Sequence, residues 1–356
     1  MDYSRRDLGK LVVGAIPGVM LAGSGQIQTA AAQGARPNSL FGGVQIGIIA
    51  PYAFQGAAST LQEVLARTVE VGLSAVELRG DLVEIFAGLP PDPAAPVTPA
   101  TPPPATAAGR GAGAAAPPPA ASTPPAPAPA APPTAAELAA QRTRAAAVRK
   151  WRISQNFDKY REARQMYERA GVAIQIVRFP LNDSWTDDEI DYAFNAAKAL
   201  GARAIHCEPP LSQTKRLGLF ADKHKMMLGY HNHANVTSVE AFARPGSWEQ
   251  AFFYSPFNGA NLDIGHFVAG NSRSPIAFIQ EYHQRITGVH LKDRRMNAGP
   301  NVPWGQGDTP IREVLQLMKR EKYPFMAIIE LEYRVDGSDP LTEIRKCVEF
   351  CRQALA

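Results

Sequence analysis

The residues best equipped for chemistry lie in the second half of the chain, and most come in pairs two apart. His206 stands with Glu208, His231 with His233, His290 with Lys292 and Glu330 with Glu332, while Asp263 precedes His266. Side chains two apart on an extended strand share a face, so each pair presents both groups to one surface. None of the seven histidines precedes His206, and five of them fall in these short runs. Imidazoles and carboxylates converging from several strands make a mixed nitrogen and oxygen site. Such a site suits one divalent ion, Mn²⁺, Zn²⁺, Co²⁺ or Mg²⁺, and not a soft thiolate metal. Any one of these residues alone reads as a satisfied core histidine or a surface carboxylate. Five strand ends carrying them together point to a site.

The elements that must position these groups follow from hydrophobic patterning. Eight short apolar runs end in polar residues: 44–50, 74–79, 172–179, 202–208, 226–233, 260–266, 286–292 and 325–332. Amphipathic segments at 61–71, 158–170, 187–200, 247–254, 275–283, 311–320 and 341–355 lie between or after them. Thr186-Asp187-Asp188-Glu189 is a capping box that opens one of these helices, and Gly201 sits just past its end. Alternating strands and helices imply a parallel sheet, and eight such units fit an α/β fold of the (β/α)8 TIM-barrel type as a single domain. Catalytic groups in such a barrel gather at the carboxyl ends of the strands, where the runs above terminate. No GxGxxG follows the first strand, which argues against a dinucleotide-binding fold.

Of the 356 residues, roughly 270 remain for that domain once two biased segments are set aside. Residues 1–35 read as a twin-arginine-type export signal: a charged start with Ser4-Arg5-Arg6, a short apolar run from Leu11 to Ala22, and Ala30-Ala31-Ala32. Gly14, Pro17 and Gly18 break the apolar run, and it falls short of the ~20 residues a membrane span needs. This reading places the mature protein in the periplasm or otherwise outside, with no membrane attachment after cleavage. The second biased segment, 90–140, is Pro/Ala-rich and holds 17 of the 31 prolines between Pro90 and Pro133, so it is expected to be a disordered loop interrupting a barrel over 41–355. Hydrophobic residues at 45% and charged residues at 20% supply an ordinary core. A net charge of +4, spread along the chain, demands no polyanion, so no nucleic-acid partner is expected. Cys207, Cys347 and Cys351 show neither a disulfide framework nor CxxC metal spacing.

The runs Gly229-Tyr230-His231-Asn232-His233, Asp263-Ile264-Gly265-His266, His290-Leu291-Lys292-Asp293 and Gly305-Gln306-Gly307, with Glu330, resemble the sugar phosphate isomerase/epimerase family, which has the xylose isomerase-like barrel. That family also contains inosose dehydratases and type IV apurinic endonucleases. Its members hold one divalent metal with carboxylate, carboxylate, imidazole and carboxylate from successive strands. The resemblance implies Asp263, His290 and Glu330 as three ligands. The epimerases carry a Glu where this chain has His231, so the expected fourth ligand is Glu208, as in members resembling inosose dehydratase, with His231 the alternative.

A divalent ion on two vicinal oxygens of a hydroxy-ketone acidifies the adjacent C–H. The resulting enediolate can be reprotonated, giving isomerisation or epimerisation, or can expel a β-oxygen, giving dehydration or glycoside cleavage. His231, His266 and His233 are the candidate proton carriers, because imidazole titrates near neutral pH. Lys292 could steady an oxyanion. Trp304 could cover an apolar sugar face, and Arg178 and Glu77 could contact hydroxyls. Export argues for a small-molecule carbohydrate without phosphate: a keto-sugar, keto-glycoside or inosose. Two other classes compete. A periplasmic sugar-binding protein would need no metal quartet, and an apurinic endonuclease would need histidines earlier in the chain than His206. The sequence assigns no oligomeric state.

Overall fold

The computed structural model describes residues 36–89 and 134–356. The expected export segment and the Pro/Ala run over 90–133 lie outside the described residues. A two-residue strand β1 (Leu40–Phe41) pairs antiparallel with the strand that follows. Eight parallel strands come next in chain order: β2 (Val44–Ala50), β3 (Ala75–Arg79), β4 (Ala173–Arg178), β5 (Ala204–Cys207), β6 (Met227–His231), β7 (Asn258–Asp263), β8 (Ile286–Leu291) and β9 (Met326–Ile329). β9 pairs back onto β2, with Ile46 opposite Ala327 and Ile48 opposite Ile329, so the sheet closes into the expected (β/α)8 barrel. Both faces of these strands are covered, which is why the chain writes them as continuous apolar runs instead of alternating ones.

The helices on the outside are α1 (Leu61–Glu70), α2 (Gly80–Phe86), α3 (Ala135–Ile153), α4 (Asp158–Arg169), α5 (Asp187–Leu200), α6 (Thr214–His224), α7 (Pro245–Tyr254), α8 (Ile264–Asn271), α9 (Ile276–Tyr282), α10 (Ile311–Glu321) and α11 (Pro340–Ala354). The capping box at Thr186 and Glu189 forms, and Gly201 closes α5 in the left-handed region at φ 78°. Four helices depart from the sequence expectation. α2 is only seven residues long, and α6 shows few buried apolar positions. α8 begins directly from β7, so the apolar run 260–266, read as one strand, is strand to Asp263 and helix beyond it. α3 takes up residues 135–140, assigned above to the Pro/Ala loop, because Thr134 and Glu137 form a capping box that starts an Ala-rich helix.

No residue of α3 is fully buried, and its one large apolar contact with the core is Trp151, edge-on to Tyr192 at 6.5 Å. Charge supplies much of the rest. Arg152 donates to Glu84 of α2 at 2.8 Å and to Glu189 of α5 at 3.1 Å, and its guanidinium lies 4.0 Å over the Trp185 ring. Tyr192 adds a hydrogen bond to Glu84 at 3.0 Å, and Tyr192 in turn meets Tyr160.

Candidate active site

The carboxyl ends of β5 to β9 bring the sequence pairs together. Five carboxylates, those of Glu77, Glu208, Asp263, Glu330 and Glu332, converge with the imidazoles of His206, His231, His233, His266 and His290. Two permanently charged side chains touch these acids. Lys292 lies 2.9 Å from Asp263, 3.2 Å from Glu330 and 2.5 Å from Glu332, and Arg178 lies 3.0 Å from Glu208. Burial would push the Lys292 ammonium down, but the three acids around it hold it well above its ordinary value and keep it charged. Lys292 pairs with these three acids and not with its chain neighbour Asp293. Asp293 instead accepts the backbone N–H groups of Gly305, Gly307 and Thr309, which fixes the loop after β8. A Cβ on Gly307 would stand 1.9 Å from the Asp293 carboxylate, so this clamp explains the second glycine of Gly305-Gln306-Gly307.

Four ligand atoms, one each from His231, Asp263, His290 and Glu330, lie within 4.8 Å of one another, and all four residues are buried. Glu208 is not among them. Its carboxylate stands past the end of β5, where it takes His206 at 3.1 Å on one oxygen and His233 at 3.0 Å on the other, with Arg178 alongside. Burial would raise the Glu208 carboxyl, yet the hydrogen bonds from His206 and His233 hold it far below the carboxylate range. The geometry therefore sets His231, the alternative, beside the three ligands implied by the resemblance. His231 Nδ1 is buried without a hydrogen-bond partner, and Asp263 Oδ2 is buried with the Lys292 ammonium against it at 2.9 Å. Buried polar atoms are rarely left unpaired, and a cation among the four residues would add a partner to this group. Burial, reinforced by the charges of His290 and His206, holds the His231 imidazole well below its usual value and keeps it neutral, as a ligand must be. Asp263 is kept anionic chiefly by Lys292, which outweighs its burial.

His290 shows the opposite balance. Burial would lower it, but Glu77 on one side and Glu330, 2.5 Å away, on the other push it up to about 10. His266 lies on the first turn of α8, where its N–H binds Asp263 at 2.7 Å. Gly265 makes this turn possible, since a Cβ there would sit 2.5 Å from the Lys292 carbonyl oxygen. Burial and the neighbouring Lys292 hold the His266 imidazole down, to about 3. His233 is the exposed one, with 56% of its side chain open, and faces Glu208.

Three expected positions move. Glu77, read as a hydroxyl contact, is wholly buried beneath the imidazoles, with both oxygens engaged by His206, His290 and Asn261. Arg178 is half-buried against Glu208. Trp304 packs edge-on to Phe350 of α11 at 5.6 Å, and none of its described contacts joins it to the histidines. Sequence reasoning missed Tyr52, whose hydroxyl binds Glu332, because it sits in a short turn after β2 with no pattern of its own. It also missed Asn261 and Asn232. Asn261 is two before Asp263 on the same strand face and could have been found by alternation. Asn232 clamps the end of β7 by exchanging both amide bonds with the Asp263 backbone.

Comparison with known proteins agrees with this architecture. Inosose dehydratase of Clostridium beijerinckii is 28% identical over 139 residues, which is 38% of this chain and 37% of the relative, so the match spans little more than a third of that protein. Among solved structures, the IOLI protein with a bound zinc atom superposes with a TM-score of 0.54 at 12% identity, over 88% of this chain and 99% of that one. The 3-keto-D-glucoside 4-epimerase YcjR of E. coli superposes with a TM-score of 0.54 at 9% identity, over 87% of this chain and 99% of that one. At such identities these two establish the barrel alone. The family model for the xylose isomerase-like TIM barrel matches residues 137–354, well over half of the chain, and spans every strand end that carries the histidine and carboxylate pairs except Glu77. By closed parallel sheet, placement of polar groups and sequence together, the chain belongs to the xylose isomerase-like TIM barrel family.

Proposed function

We propose that this protein is an exported, divalent-metal-dependent enzyme that isomerises, epimerises or dehydrates a non-phosphorylated keto-sugar, keto-glycoside or inosose. The observation that carries the reading is the group His231, Asp263, His290 and Glu330, whose four buried ligand atoms lie within 4.8 Å of one another. These four residues would hold the ion. Once bound, it would polarise a substrate carbonyl and acidify the neighbouring C–H. The inosose dehydratase and keto-glucoside epimerase among the similar proteins, and the zinc of the IOLI protein, support the substrate class and the metal. The amino-terminal Ser4-Arg5-Arg6 and apolar run support export.

The chain's own groups divide the remaining work. His231 stands among the ligands and leaves proton transfer to His233. That ring approaches from the β6 side with Glu208 behind it, and the carboxylate raises its basicity. His266 approaches from the α8 side, but Lys292 at 3.0 Å and Arg294 at 2.6 Å stand against its two nitrogens and, with burial, keep the ring neutral. Lys292 pairs with Asp263, Glu330 and Glu332 and holds Asp263 and Glu332 anionic. Phosphate recognition finds little here, because Lys292 and Arg178 are already matched to carboxylates.

The test is exchange of a substrate C–H with D₂O in the presence of metal, over a panel of keto-sugars, keto-glycosides and inososes. His233→Ala is expected to slow the exchange by roughly 10²–10⁴ while metal content stays stoichiometric. Purified protein that takes up no divalent metal, or the absence of exchange with every substrate, would overturn the reading.

A further inference from the structure

Glu77, on β3 below the mouth, has no access to solvent, as Asp263 has none. One of its oxygens meets Nδ1 of His206, and the other meets Nε2 of His290 at 3.1 Å. The side-chain amide of Asn261 donates to that second oxygen at 2.8 Å, which fixes the carboxylate from the side. A carboxylate only accepts, so the nitrogen that each ring turns toward Glu77 must carry a proton. The nitrogens turned upward are therefore set as well. His290 presents Nδ1 to Glu330, within the four-residue ligand group, and His206 presents Nε2 to Glu208, 3.1 Å away.

We infer that Glu77 is a positioning residue that shares one buried carboxylate between two imidazoles and so assigns His290 to the metal and His206 to the Glu208–His233 pair. His206, His231 and His290 are close enough to form a three-imidazole group of their own, with ligand nitrogens within 4.8 Å. Each ring has its second nitrogen on a further carboxylate, but that of His206 turns to Glu208, outside the four-residue group, and that of His290 turns to Glu330, a member of it. Glu77 supports the ligand ring from behind, an arrangement whose loss typically weakens metal affinity by about 10–100-fold. The inference rests on the metal reading above, but its geometric core does not require the ion.

Two measurements test it. In metal-free protein labelled with ¹⁵N-histidine, His206 Nδ1 and His290 Nε2 are expected to carry slowly exchanging, far-downfield protons. If either nitrogen bears no proton, the assignment is overturned, whether or not the protein binds metal. In metal titrations, Glu77→Gln replaces one acceptor oxygen by a donor and is expected to weaken binding about 10–100-fold. His206→Asn, which removes a ring outside the ligand set, is expected to change binding less than threefold. Equal losses in both variants, or unchanged affinity in Glu77→Gln, would refute the role of Glu77. Wild-type protein that takes no metal would instead refute the proposed function, with the NMR result still deciding the orientation of the two rings. That spectrum is read on the wild-type chain, so a Glu77→Gln variant that fails to fold leaves the test intact.

Discussion

The chain buries charge in two places, and the two are built differently. Outside the barrel, Glu84 and Glu189 meet Arg152, Arg149, a tyrosine hydroxyl and a capped helix start, and among the described residues no buried side-chain atom there lacks a partner. At the mouth, five carboxylates meet two permanent cations and several histidines, and His231 Nδ1 is buried without a partner. The outer network is complete without any ligand. The mouth balances only if histidines hold protons or a cation arrives. This is the signature that separates a fastening from a site: buried ion pairs that hold structure are closed, and those kept for function are left open.

Three measurements would break or sharpen the contrast. The largest effect is expected at the mouth: Glu330→Gln should remove metal binding altogether, and with it more activity than the roughly 10²–10⁴ carried by one proton carrier, while circular dichroism shows the barrel intact. A variant with its full metal complement would dismantle the ligand assignment. Next comes the outer network, where Arg152→Ala leaves buried Glu84 without a cation and Glu189 with Arg149 alone. A loss of about 3–5 kcal/mol in unfolding free energy is expected, with metal affinity unchanged. A loss below about 1 kcal/mol would mean that α3 is not fastened as described. The smallest effect is graded. Glu77 and Glu330 raise His290 to about 10 in the metal-free protein, so its imidazole holds at neutral pH a proton that must leave before the ring can ligate. Apparent metal affinity should therefore rise about tenfold per pH unit from about pH 6 to 9, with one proton released, and level off above about 10. Titrations in buffers of different ionisation heat would read that proton, and affinity independent of pH would contradict the picture.

Much of this was legible in the sequence because the barrel writes its strands as apolar runs closed by polar pairs. Asp263, His290 and Glu330 fell where alternation and resemblance put them. The sequence favoured Glu208 over His231 as the fourth member of the group, and the structure groups His231 instead. What separates them is lateral: Arg178 and His233 draw Glu208 aside, and neither is near it in sequence. α8 was hidden because nearly every residue in it is buried, which erases the amphipathic period. α3 was hidden for the opposite reason, because it has no fully buried face and depends on Trp151 and on two arginines whose partners lie far away in the chain. Glu77 sits at the end of an ordinary strand, and only the closed sheet brings it under histidines from β5 and β8.

The clasp between Glu84 and Arg152 has a consequence for the history of this chain. Glu84 lies near the end of α2, shortly before Leu89, and Arg152 lies at the end of α3 away from Thr134, so this ion pair ties together the two helices that border the segment between them. The entropy of closing a loop grows only with the logarithm of its length, about 0.6 kcal/mol for each doubling. With the bordering helices tied, the barrel is nearly indifferent to how many residues cross the gap. Sequence there can lengthen, shorten or drift in composition across a lineage without selection on the fold noticing, as long as the acid and the arginine that face each other across it are kept.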